Sequence, residues 1–134
     1  MTSGSSIHGG TVRWMSPELL HPAHFGFEKG RATKASDCYA LGMVILEVLS
    51  GKPPFSDGDS EWIVMQRILN YEQPGRPEGP WFADDLWEML RQCWATNPNS
   101  RPSIEAVLKF FVQTCGTWKP YSVEVELDKN TESD

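Results

Sequence analysis

Cysteine is scarce. Cys38, Cys93 and Cys115 are three in 134 residues, an odd number without CxxC spacing, so neither a disulfide framework nor a zinc site is indicated and a reducing compartment fits best. Basic charge is also short, with 12 Lys and Arg against 18 Asp and Glu for a net charge of −6. With no basic stripe, a phosphate backbone has nothing to meet, which argues against a nucleic-acid partner. The one long apolar run, residues 38–48, is broken by Glu47 and falls short of the roughly 20 residues that cross a bilayer. The opening "MTSGSSIHGG" has neither the basic nor the apolar region of a secretory signal. These absences lead to the expectation of a soluble, cytoplasmic protein with no membrane and no nucleic-acid partner.

What is present fits one folded domain. Hydrophobic residues make up 40% and charged residues 22% of the chain, ordinary globular usage. The excess of acid is uneven: residues 124–134 hold five carboxylates against Lys129, so four of the six excess negative charges sit there. Residues 119–134 accordingly read as a solvated, disordered tail. The Ser, Gly and Thr of residues 1–9 read as flexible loop.

Between these ends the periodicity is helical. After Ser16 as a cap, Pro17 suits a first helical position, Glu18 faces the positive end of the dipole, and Pro22 stops the turn. Ser36 as N-cap, Asp37 in the first turn and the stop at Gly51, Pro53 and Pro54 predict a helix over residues 37–50. Its apolar residues cover every face, which predicts a helix surrounded by protein. Three amphipathic helices follow. The first carries Trp62, Met65, Ile68 and Leu69 behind Ser60; the second carries Leu86, Met89, Leu90, Cys93 and Trp94; the third carries Ile104, Val107, Leu108, Phe111, Val112 and Cys115 behind Ser103. Only "YSVEVEL" alternates like a strand, and it reads equally as tail. The fold class is all-α.

Four stretches occur in a telling order: "GTVRWMSPE" at 10–18, "SDCYALG" at 36–42, "GKPPF" at 51–55 and "CWATNPNSRPS" at 93–103. Together they resemble the C-terminal part of a protein kinase large lobe, from the end of the activation segment onward, most similar to the tyrosine-kinase-like group. The resemblance covers about residues 8–116. It implies a remnant of the activation segment at residues 1–9 and a lobe fragment at 10–118, with helices packed around the central one. It further implies that Glu18, which resembles the final Glu of the family's A-P-E motif although Ser16 stands where the family usually has Ala, pairs with Arg101, a fork that a carboxylate and a guanidinium can close between distant segments. By the same resemblance Asp37 anchors the catalytic loop, with a plain helix-dipole role as the alternative. Gly42 permits close approach to the central helix. Gly10, Thr11, Val12, Arg13 and Trp14 form the substrate-binding loop. "GT" leans toward Ser/Thr substrates, while "RWM" occurs in tyrosine-directed kinases too.

The family's chemistry needs a Gly-rich loop, a strand Lys, HRD and DFG, and this sequence has none of them. The small lobe and catalytic loop are thus absent, no catalytic residue is assigned, and ATP and Mg belong to the family level only. "HFG" at 24–26 has His where a metal-binding Asp is needed. His21 and His24 lack a third ligand, and Asp57, Asp59 and Glu61 lack the remaining positions of a calcium loop and read as caps of the following helix. Two readings stay open. Either the chain is a portion of an ATP-dependent protein kinase, inactive by itself, with a protein substrate or another kinase segment as partner, or it is a freestanding remnant that binds proteins. In either case, an apolar face of the central helix is expected to lose cover and drive association.

Overall fold

A computed structural model describes residues 11–28 and 30–114. These residues form helices and turns, and among them there is no strand. The helices are α1 (Pro17–Leu20), α2 (Lys34–Ser50), α3 (Glu61–Leu69), α4 (Asp84–Cys93) and α5 (Ile104–Thr114), joined by short 3₁₀ turns at Val12–Trp14, Pro22–Phe25 and Pro98–Ser100. No described helix is long and apolar enough to cross a membrane. The expectations for residues 1–9, for Gly10 and for residues 115–134 lie outside the described residues.

The described residues fall into two compact units, 11–103 and 104–114. In the first, α2 is the hub: α4, the Val12–Trp14 turn and the Pro98–Ser100 turn all pack against it. The helix starts three residues earlier than its sequence predicts. Thr33 rather than Ser36 is the N-cap, and the two side chains form a reciprocal capping box in which each hydroxyl accepts from the other's backbone N–H. Ser36 at N3 takes the place usually filled by Glu or Gln. The stop is as read, with Gly51 in the left-handed region at φ 77°.

Burial on α2 is not all-round. Cys38, Tyr39, Met43 and Leu46 are buried, whereas Asp37, Val44 and Val48 are exposed, with Leu41 and Ile45 half-buried between them. Spacings of three and four residues put these five on one face. Among the residues on the central helix where several were expected to lose cover, Tyr39, Met43 and Leu46 are buried and Leu41, Val44 and Ile45 are not.

The amphipathic helices follow their sequence pattern unevenly. On α4, Leu86, Met89, Leu90 and Cys93 face the core, with Trp94 buried just beyond. On α3, Ser60 caps by accepting from the Ile63 N–H, but the buried pair is Val64 and Ile68. Trp62 points outward, 65% exposed, because it lies two residues from Val64 and so about 200° around the helix. In the second unit, α5 buries Val107 and leaves Leu108 and Val112 exposed.

Candidate functional site

The site grows from the segment 11–18. Thr11 precedes the 3₁₀ turn Val12–Trp14, which closes with the Met15 N–H donating to the Val12 carbonyl at 3.0 Å. Val12 is buried, Thr11 exposed, and Arg13 and Trp14 half-buried. From this turn the Trp14 indole N–H donates to Glu47 Oε1 of α2 at 3.1 Å.

Arg13 reaches the other way. Its Nη1 donates to the carbonyls of Pro54 and Phe55 at 3.1 and 2.6 Å, its Nη2 to that of Asp59 at 3.0 Å, and its Nε to Glu61 Oε1 at 3.3 Å. The side chain is only 15% exposed. The same segment is also held by Arg67, whose guanidinium meets Asp57 and Asp59 and lies 4.9 Å from the centre of the Phe55 ring. Sequence reasoning took Asp57, Asp59 and Glu61 for helix caps. Their carboxylates instead serve two arginines, and the cap is Ser60.

Four residues on, α1 presents Glu18 to Arg101. Nη1 and Nη2 donate to Glu18 Oε2 and Oε1 at 2.6 and 2.9 Å, a two-pronged fork. The Arg101 side chain is 0% and the Glu18 side chain 5% exposed. The remaining Arg101 donors meet the carbonyls of Ala95 and Ala35 at 3.0 and 3.1 Å. One guanidinium thereby joins α1, the first turn of α2 and the chain after α4. Burial pushes the Glu18 carboxyl up, but the guanidinium, together with hydrogen bonding that includes the residue's own backbone, more than offsets this and holds it below its ordinary range. The guanidinium also sits 5.1 Å from the centre of the Tyr39 ring, whose phenol is pushed up by burial.

Gly42 lies where α2 and α4 cross. A Cβ built there would stand 2.7 Å from the Trp94 indole nitrogen and 3.0 Å from the Cys93 Cβ. Only a residue without a side chain allows this approach, which is worth the helix cost of glycine. Asp37 is exposed on the first turn of α2; its backbone N–H donates to the Thr33 carbonyl at 2.9 Å, and the role left to its carboxylate is with the positive end of the helix. Thr11, Val12, Arg13 and Trp14 thus come together, Glu18 and Arg101 meet, and Asp37 and Gly42 stand apart on α2.

Sequence reasoning missed the anchoring of Arg13 and the tie from Trp14 to Glu47. No local pattern reveals the first, since three of its four acceptors are main-chain carbonyls. The second had a signal, a lone acid breaking the apolar run of α2.

Comparison with known proteins gives a protein kinase domain over residues 3–111. The chain is 36% identical over 107 residues to the cytokinesis protein sepH of Aspergillus terreus, covering 80% of this chain and 7% of that protein. It is 32% identical over 111 residues to the receptor-interacting serine/threonine-protein kinase 3 of Rattus norvegicus, covering 77% and 22%. It is 36% identical over 99 residues to the proto-oncogene tyrosine-protein kinase ROS of Homo sapiens, covering 72% and 4%. The chain therefore spans less than a quarter of the length of each of these relatives. With a kinase domain matched over most of its residues and kinases of both specificities among its relatives, the chain belongs to the protein kinase family and corresponds to the C-terminal part of the catalytic domain.

Proposed function

We propose that the chain supplies the substrate-facing part of an ATP-dependent protein kinase that phosphorylates Ser or Thr hydroxyls in proteins. The observation that carries this reading is the mounting of segment 11–18, tied to α2 through Trp14 and Glu47 at one end and through Glu18 and Arg101 at the other. A loop that must present a peptide hydroxyl in line with a phosphoryl group works by positioning, and a 1 Å error is costly. Two buried or half-buried ties to one helix provide that rigidity while Thr11 stays at the surface.

Nucleotide, magnesium and proton transfer lie outside this share. The described residues do not fit a metal–nucleotide group: the acids at 57, 59 and 61 are engaged by Arg67 and Arg13, and no described cluster of three His, Cys, Asp or Glu could hold a metal ion. No step is assigned to ATP or Mg on this chain, and by itself it transfers no phosphate. A reducing, cytoplasmic setting suits the buried free thiols Cys38 and Cys93.

The test is a chimera in which residues 10–114 replace the equivalent stretch of an active related kinase domain. Labelled phosphate should reach Ser and Thr of a protein substrate, read by phosphoamino-acid analysis. A folded, ATP-binding chimera that transfers nothing, or that labels Tyr alone, contradicts the proposal.

A further inference from the structure

Arg13 was expected among the substrate contacts, yet its guanidinium is committed inward. Four acceptors, the carbonyls of Pro54, Phe55 and Asp59 and the carboxylate of Glu61, belong to one stretch of eight residues. That stretch is not relaxed backbone. Phe55 has φ 57°, a left-handed conformation that a bulky side chain adopts only when its surroundings impose it. Here the ring is buried beneath Arg67, and its carbonyl accepts the shortest of the Arg13 bonds, at 2.6 Å.

We propose that Arg13 is a positioning residue: it clasps the turn Val12–Trp14 to residues 54–61, so that the loop between α2 and α3 sets the placement of the substrate-facing turn, while the guanidinium itself meets no substrate. Its importance for phosphorylation rests on the kinase reading above. The coupling does not, and it can be read without any activity. A clasp of this kind is reciprocal, because loosening either segment releases the other by the same free energy. General destabilisation would instead speed opening of every segment together.

The experiment is amide hydrogen exchange, read by mass spectrometry segment by segment on the full 134-residue chain and its variants. Arg13→Lys keeps the positive charge, but one ammonium cannot span four acceptors set around a planar fork. Exchange in residues 11–16 and 52–61 should each rise about tenfold, while α4 keeps its protection, the pattern of a local opening. Glu61→Leu should loosen residues 11–16 from the other side, and Glu61→Gln, which keeps an acceptor oxygen for Arg13 Nε, should restore most of the protection. Unchanged exchange at 52–61 in Arg13→Lys overturns the clasp. So does acceleration spread evenly over 11–16, 52–61 and α4, which would make Arg13 an ordinary stability contact. Since the chimera reports on phosphorylation and exchange reports on coupling, either can fail while the other stands.

Discussion

Removing Arg101 should take most of the stability from the first unit. Its side chain is 0% exposed, it forks to Glu18 at 2.6 and 2.9 Å, and it spends its other donors on the carbonyls of Ala95 and Ala35. Arg101→Ala leaves a buried carboxylate and two carbonyls without a charged donor. Breaking a buried pair from one side costs about 3–5 kcal/mol, against the roughly 5–15 kcal/mol by which domains are stable. The cooperative unfolding transition, followed by circular dichroism in urea, should disappear or move to a far lower midpoint. Replacing both partners, Glu18→Leu with Arg101→Met, removes the orphan charge and should recover part of the loss, as buried pairs exchanged for apolar groups commonly do. An Arg101→Ala midpoint equal to that of the parent would show that the fork holds nothing together.

Three further outcomes follow from the same geometry. Glu18 titrates below its ordinary value in the folded state, so its contribution is fully present well above pH 4.5 and is lost as the pH falls from there through the folded value; acid titration should show stability falling, and Glu18→Gln should flatten that fall, whereas an unaltered acid limb in the variant contradicts the assignment. Gly42→Ala puts a methyl 2.7 Å from the Trp94 indole nitrogen, and overpacking of about 1–3 kcal/mol should outweigh the helix gain of about 1 kcal/mol, so a rise in thermal midpoint would refute the close crossing of α2 and α4. The stripe of Leu41, Val44, Ile45 and Val48 should bind a hydrophobic dye, and Val44→Lys with Val48→Lys should reduce that signal while moving stability by under about 0.5 kcal/mol; an unchanged signal would place the dye elsewhere.

Residues whose role depends on local period or on a matched motif were readable from sequence. The stripe on α4 was, because Leu86, Met89, Leu90 and Cys93 follow one helical period. The partnership of Glu18 and Arg101, 83 residues apart, was suggested only by family likeness, since two charges at that separation have no local signature. The start of α2 was misread because Thr33 and Ser36 are both good caps three residues apart, and the box they form makes each a partner of the other. All-round burial of α2 was overread: an apolar run shows which faces could be covered, not which neighbours are there to cover them. Arg13 was hidden most fully, for three of its four acceptors are carbonyls in a stretch that turns through a left-handed Phe55, and sequence announces such a conformation most readily when glycine occupies it.

On the proposal above, this chain carries the substrate side of a kinase and not its nucleotide side. Isothermal calorimetry of MgATP titrated into the folded 134-residue chain tests it most directly. Heats of dilution alone are expected, with no saturable binding at millimolar nucleotide. A saturable one-site isotherm, abolished by prior addition of excess ATP, would contradict it.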